Sequence, residues 1–526
     1  MICTRIIVPF KYDGEIIASA IADSLGFDRK EIDSFAIRKR ELNLEESAPR
    51  YKMTVAFSAS PERECGLLKM KKRVFPDPVL NFVIPTHTLN SQPIVVGAGP
   101  AGLFAALTLA RAGARPILIE RGLPVEERLR KVSLFNTLGI LDPECNVQFG
   151  EGGAGTYSDG KLKYGSMDAY KLSVLREFVE AGADEEILYT VGAHLGTDKL
   201  SDIVKRIREK IISLGGEVRF STKLVDIGVK NSSVSSVTLE SPDGRYTIGA
   251  DSVILATGHS AEDVFVLLDA LGVALTPKGF GIGMRIEHRR EYIDDLVYGK
   301  GHDAELPTAS YHLVTHLPGG RSVYSFCMCP GGTVVAAASA EGGVVTNGMS
   351  EYLRDGENSN AALLVSVTPD DFESDSPLAG IALQRRIERA AFSAAGGDYR
   401  APVWRICDLL DKKTTSSIGE VVPSYARGFE LVSPTEYLPN FITDSLTAAI
   451  RDFDEWMPGY YYHDAILTGA ETRSTSPIRV ERDECYQSVS LRGLYPTGEG
   501  AGYAGGIVSS ATDGVRAALA LLKNNQ

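Results

Sequence analysis

Pro93-Ile94-Val95-Val96-Gly97-Ala98-Gly99-Pro100-Ala101-Gly102, running on into the apolar residues 103–112, decides how this chain is read. Residues 94–96 form a short continuous apolar run, the pattern of a strand buried on both faces. Gly97-x-Gly99-x-x-Gly102 then turns into a helix. The first glycine allows the tight turn, the second removes a side chain where a pyrophosphate must approach, and the third lets the helix pack on the strand. Ala98, Pro100 and Ala101 fill the positions between them. The free N–H groups and positive dipole end of such a helix start favour an anion. A second strand, 116–119, ends in Glu120, eighteen residues beyond Gly102, where an acidic side chain is placed to accept from an adenosine ribose. Arg121 is the neighbouring alternative for that contact. A plain glycine-rich turn is the bland reading, and the acid at this spacing argues against it.

Bulk composition bounds the rest. The 526 residues suffice for two or three domains, and 44% apolar with 23% charged residues is ordinary for a globular protein. The net charge of −13 argues against a general polyanion binder, so no nucleic-acid partner is expected. Residues 1–90 carry fourteen Lys and Arg against twelve Asp and Glu, so the acidity sits downstream. The run Lys69-Met70-Lys71-Lys72-Arg73 reads as a solvated face. Seven cysteines without framework spacing suggest a reducing compartment, and the start of the chain lacks a signal-peptide pattern. The eighteen uncharged residues 93–110 approach membrane-helix length, but strand–turn–helix accounts for their glycines and proline. The expectation is a cytoplasmic protein without a membrane partner.

Residues 1–90 read as strand 4–9, helix 15–25 and strands 32–39 and 51–58, a small ferredoxin-like α+β module. Residues 74–92, with prolines at 76, 78 and 85, read as its connection to the dinucleotide unit. Past Glu120 lie an Arg-rich helix (125–132) and the loop 148–161. Five glycines between 150 and 160 mean backbone approaching something closely, with a mobile surface loop as the alternative. A helix over 199–214 and a meander through 217–248 lead to Ala256-Thr257-Gly258, read as the chain re-entering the same parallel sheet. Residues 324–329, Pro330-Gly331-Gly332 and 333–335 read as a hairpin. Helices are expected over 385–395 and 446–453. Near the end, 493–507 closes a strand and opens a helix over 508–522.

Gly97–Gly102, Glu120, Ala256-Thr257-Gly258 and Gly498-Glu499, in that order, resemble the two-dinucleotide-binding-domain flavoproteins. The resemblance implies that the first unit binds the ADP half of FAD and that Glu499, where those proteins usually carry Asp, binds the ribityl chain. Gly150–Lys161, Gly283-Met284-Arg285-Ile286-Glu287-His288, Tyr324–Gly332, Glu471–Pro477 and Gly498–Ile507 are similar to an uncharacterised family of bacterial FAD-dependent dehydrogenases described as NAD(FAD)-utilising. This implies FAD and oxidoreductase chemistry on an unidentified small molecule.

The expected fold is α/β. A Rossmann-like FAD-binding domain (91–280 and 471–526) carries an inserted, strand-rich α+β substrate domain (281–470) and follows the ferredoxin-like module (1–90). The cofactor-binding candidates are Gly97–Gly102, Glu120, Arg121, Gly152, Gly153, Ala154, Gly155, Thr156, Ser158, Lys161, Val225, Ala256, Thr257, Gly258, Gly498, Glu499, Gly505, Gly506 and Ile507. Backbone N–H groups at Gly505–Ile507 are placed to stabilise charge on a reduced flavin. Cys327 and Cys329 are the catalytic candidates. Two apart on a strand, they would share a face opposite Phe326 and Met328. Packing alone is the alternative, since free cysteine is commonly buried. Arg285, Glu287 and Arg473 read as substrate anchors or as intradomain ion pairs. No metal-ligand spacing occurs. A second glycine fingerprint is missing, since Gly279–Gly283 lacks the spacing, so NADH or NADPH would bind only transiently near the flavin. A flavin-binding regulatory or interaction protein is the competing class, and the size of the insertion favours the enzyme.

Overall fold

The computed structural model describes residues 1–44, 48–70, 73–78, 80–86, 89 and 91–524. Lys71 and Lys72 of the basic run, and parts of the expected connection 74–92, lie outside the described residues. The chain divides into two compact units, Met1–Val83 with Leu162–Ala193, and Ile84–Lys161 with His194–Gln526.

The first unit is built on β1 (Ile2–Pro9), α1 (Gly14–Leu25), β2 (Ser34–Asn43), β3 (Arg50–Ser58), α2 (Pro61–Leu67) and β4 (Val74–Pro76). The sheet order is β2-β3-β1-β4 and every pairing is antiparallel, which is the ferredoxin-like βαββαβ arrangement. Its helices begin on side-chain caps, Asp13 accepting from the Ile16 N–H and Ser60 from the Arg63 N–H. Ile6, Val8, Ile17, Ile21, Val55 and Phe57 form its core. The stretch from Leu162 to Ala193 joins the unit at Arg40, whose N–H donates to the Tyr189 carbonyl at 2.7 Å and whose guanidinium reaches Glu186 at 2.5 Å.

The second unit contains β5 (Ile94–Val96), α3 (Pro100–Arg111), β6 (Ile117–Ile119), β7 (Glu217–Arg219), the meander β8 (Lys223–Lys230), β9 (Ser233–Ser241) and β10 (Gly244–Gly249), and β11 (Val253–Leu255). A five-stranded parallel sheet has the order Leu494–Pro496, β11, β5, β6, β7. The expected return of the chain into that sheet is thus made by β11 and again by Leu494–Pro496. Its three central strands are buried throughout, as in parallel sheets covered on both faces. Ten of the twelve residues of α3 are buried because the helix lies between that sheet and the last helix, Ile507–Asn524. The helices meet at Gly514, where a Cβ would come within 2.0 Å of the Ala101 carbonyl oxygen, so no larger residue fits.

A mixed seven-stranded sheet has the order Val314–His316, Ser322–Cys329, Asn358–Val367, Phe280–Arg289, Ile466–Glu471, Ala401–Arg405, Phe429–Leu431. Ile282, Met284 and Ile286 of its central strand join Leu363, Leu383, Ile387, Ile442 and Leu446 in one core with helices Ala379–Ala394 and Asn440–Trp456. Each fully buried side chain of this kind contributes roughly 1.5–3 kcal/mol. Arg285 and Glu287 alternate with them and lie on the opposite, polar face.

Two expectations fail here. The hairpin over 324–335 does not form. Ser322–Cys329 pairs with Val314–His316 and Asn358–Val367, whereas Thr333–Ala336 pairs with Thr346–Met349. Pro330-Gly331-Gly332 therefore carries the chain between sheets, with Gly331 at φ 49° and packed on the Arg354 backbone. Nor does Tyr324–Cys329 alternate regularly. Its register with Asn358–Val367 jumps from Phe326↔Ala362 to Cys329↔Asn360, a β-bulge in which Cys327 takes φ 41°. Met328 and Cys329 are both buried in consequence, while Phe326 is exposed.

Candidate functional site

The site assembles at the carboxyl ends of the parallel strands, where ligands bind in open α/β sheets. Gly97, at φ 99°, makes the turn after β5, and a Cβ there would lie 2.4 Å from the Ala256 carbonyl oxygen. A Cβ on Gly102 would stand 1.8 Å from the Gly97 carbonyl oxygen, so α3 seats directly on the turn. Gly99 is different. It is the N-cap of α3 without a capping side chain, and a Cβ there would meet only the Gly153 Cα, at 3.8 Å. The Ala101 and Gly102 N–H groups belong to the first helical turn and have no intrahelical acceptor.

Glu120 is buried and binds three segments together. Its carboxylate accepts from the N–H of Ala98 at 2.8 Å, Gly122 at 2.9 Å and Gly150 at 3.0 Å. A carboxylate offers about four lone-pair sites, which leaves room for one ribose hydroxyl. Arg121 turns elsewhere, forming ion pairs with Asp263 and with Glu144 and lying over the Phe149 ring. Glu120→Ala is expected to lower thermal stability and FAD affinity together, because each orphaned buried N–H costs roughly 1–3 kcal/mol. Apoprotein melting and FAD titration, read side by side, check this. Unchanged values in both would show that the carboxylate holds nothing.

The loop 148–161 is ordered from below. Fully buried Arg128 donates to the carbonyls of Asn146 (2.9 Å), Val147 (3.0 Å), Glu151 (2.7 Å) and Gly153 (2.9 Å). Glu151 accepts from the Val125 N–H and from Arg208. Residues Gly153–Tyr157 form a 3-10 turn, and a Cβ on Gly155 would meet Ile507 Cγ1 at 3.3 Å. This brings Gly152, Gly153, Ala154, Gly155 and Thr156 between the α3 start and the start of the last helix. Ser158 is turned inward on its own loop, donating to the Gly155 carbonyl. Lys161 donates to the Met328 carbonyl and lies 3.9 Å from Asp159, which Arg354 holds in a bidentate pair.

The remaining candidates close the ring. A Cβ on Gly500 would lie 2.4 Å from the Gly258 carbonyl oxygen, and one on Gly498 would lie 2.7 Å from the Ala101 Cβ. Ala256, Thr257, Gly258, Gly498 and Glu499 therefore flank the dinucleotide turn. Asp513 accepts from the Gly498 N–H at 2.7 Å and is paired with Arg482. A Cβ on Gly505 would meet nothing within 4 Å, and one on Gly506 only Ser509 Oγ at 3.9 Å. The Gly505 N–H donates to that hydroxyl at 3.3 Å. Glu499 is half-buried, and desolvation pushes its carboxyl up to about 7 against the pull of Lys278. Val225 stands apart on β8, skipped by the ladder between Leu224 and Asp226.

The polar face of the seven-stranded sheet meets this ring at the cysteine bulge. Arg285 makes a fully buried bidentate pair with Glu471 (2.9 and 2.8 Å) and also donates to the Cys327 carbonyl, Asn360 and Asn347. It is an ion pair between two adjacent strands of the seven-stranded sheet, Phe280–Arg289 and Ile466–Glu471. Arg473 is likewise paired, with Glu388, at 2.8 Å through two nitrogens. Glu287 accepts from the N–H and hydroxyl of Ser424, and burial pushes it up to about 7. Arg128, Glu151 and Asp513 were missed in the sequence, since each acts on backbone far away along the chain. Among the described residues no group of His, Cys, Asp and Glu could hold a metal ion.

The uncapped helix start at Gly99, and glycines at 99 and 505 that leave their Cβ positions open, fit an anionic dinucleotide. The fold and this cradle define an FAD-dependent flavoprotein. Residues 90–137 match the family described as FAD binding domain, and residues 279–474 that described as FAD-dependent protein, C-terminal domain-like. The chain is 43% identical over 517 residues to an uncharacterized protein of Clostridium beijerinckii, covering 96% of this chain and 95% of that one. It belongs to that family of FAD-dependent proteins, and it is an FAD-dependent oxidoreductase. Aklavinone 12-hydroxylase RdmE of Streptomyces purpurascens is 28% identical over 195 residues, 34% of each chain. A flavoprotein/dehydrogenase of Cytophaga hutchinsonii is 12% identical over 83% of this chain and 80% of that one, with a TM-score of 0.36. Among the described residues no helix is long and apolar enough to cross a membrane.

Proposed function

We propose that the chain is a dehydrogenase or reductase that moves hydride or an electron pair between FAD and a small organic substrate bound against the cysteine bulge. What supports this is one convergence. Gly97–Gly102, Gly152–Thr156, Ala256–Gly258 and Gly498–Ile507 surround one cradle, and Lys161 ties its loop to Met328 on the strand-rich sheet. FAD supplies the two-electron chemistry when bound. The chain's own groups bind and orient. Helix-start N–H groups at Gly99, Ala101 and Gly102 would hold the pyrophosphate, Glu120 would take a ribose hydroxyl, and N–H groups at Gly506 and Ile507 would stabilise negative charge on the reduced cofactor. Glu499, poised near neutrality, receives the ribityl hydroxyls or holds a proton beside them.

In this reading residues 91–280, apart from Leu162–Ala193, form the cofactor domain with 471–526, and residues 281–470 face the substrate. A nicotinamide donor, where one is used, would bind transiently near the flavin, because a second glycine fingerprint is missing from the sequence. The test is anaerobic mixing of the FAD-loaded protein with NADH, NADPH or a metabolite extract, followed by an acceptor. Bleaching of the flavin and repeated turnover are expected. A flavin that none of these reduces would favour the regulatory or interaction protein instead.

A further inference from the structure

Cys327 and Cys329 are the chemical groups of the site that cofactor binding does not use. In a flat strand, residues two apart stand about 6.7 Å from each other at Cα. That is the upper end of the roughly 4.4–6.8 Å a disulfide spans. Here the strand is not flat. Three steps of Ser322–Cys329 oppose two of its partner, and Cys327 sits at φ 41°. The bulge folds the pair together, with the Cys329 thiol donating to the Cys327 carbonyl oxygen at 3.3 Å.

Two cations flank the pair. Arg285 Nη1 donates to the Cys327 carbonyl and lies 3.9 Å from Cys329 Sγ, and Lys161 donates to the carbonyl between them. The Cys327 thiol is drawn down to about 6, first by the Cys329 hydrogen bond and then by Arg285 and Lys161. Cys329 is pushed well up by burial. One thiolate beside one thiol is the state from which a pair is oxidised.

Resting on the flavoenzyme reading above, we propose that Cys327 and Cys329 form a reversible dithiol–disulfide couple that exchanges an electron pair with FAD. In the forward direction both S–H bonds break and one S–S bond forms. Two electrons and two protons pass to oxidised flavin and reduce it. The reverse step restores both thiols. The closed loop is so short that little chain entropy holds it, which suits a couple that must reopen.

The test uses the FAD-loaded full chain, counted for FAD first. After anaerobic treatment with diamide, then iodoacetamide, Cys327 and Cys329 in the tryptic peptide 322–354 are expected to be protected together and released by dithiothreitol. The exposed lone thiols Cys65 and Cys485 serve as alkylation controls. In an anaerobic dithionite titration, the oxidised wild type is expected to take four electrons per flavin. Cys327→Ser and Cys329→Ser, with unchanged FAD content, should take two. A chain without FAD overturns both this couple and the reading on which it rests. An FAD-loaded wild type that takes two electrons, or leaves both thiols open to alkylation, overturns the couple alone.

Discussion

Arg285→Met is expected to destabilise the protein by about 3–5 kcal/mol, the typical cost of removing one partner from a buried ion pair. All five guanidinium donors are used. Nε and Nη2 hold the Glu471 carboxylate, Nη1 holds Asn360 and the Cys327 carbonyl, and Nη2 also reaches Asn347. Without them Glu471, 4% exposed, keeps the Thr346 hydroxyl at 3.2 Å as its remaining side-chain donor. Glu471→Gln should be milder, because an amide oxygen still accepts from Arg285. Replacing both residues by Met should recover most of the loss, since a buried pair exchanged for apolar groups of similar volume is often near neutral. Chemical denaturation of the three variants checks this. A single Arg285→Met variant as stable as wild type would mean that the pair does not hold the sheet's polar face.

How much of this was legible in the sequence depended on whether the determinant was local. Gly97-x-Gly99-x-x-Gly102, its flanking strands and Glu120 are neighbours in the chain, and their placement follows from turn geometry and strand burial. The ferredoxin-like module was legible from three strands and the first helix, each with its own period, whereas its three-residue fourth strand, Val74–Pro76, lay in the stretch expected to be a connection. The cysteine bulge was not. Regular alternation predicts one face for Cys327 and Cys329, and only the pairing of their strand with Asn358–Val367 shows where the register slips. The hairpin failed for a related reason, since Pro330-Gly331-Gly332 has turn residues whether it joins paired strands or carries the chain between two sheets. The Glu120 contact to Gly150, thirty residues on, left no trace at all. An acid placed for a ribose and one placed for backbone N–H groups look the same in sequence. Arg285 was open between anchor and ion pair because its partner, Glu471, lies 186 positions away.

Gly99→Val tests whether the Gly97–Gly102 turn carries FAD, with little interference from the fold. A Cβ at Gly102 would collide with the Gly97 carbonyl, so Gly102→Ala is expected to disrupt the turn itself and lower the melting temperature. At Gly99 the nearest protein atom to a Cβ is 3.8 Å away, ordinary contact, so the chain should fold around the valine. What the valine obstructs is the space a pyrophosphate must enter. Wild-type protein is expected to be yellow and to release FAD, not FMN, on denaturation. The measurement is FAD occupancy of folded Gly99→Val. Colourless protein that melts like wild-type apoprotein is the predicted result, and full FAD occupancy would contradict the account.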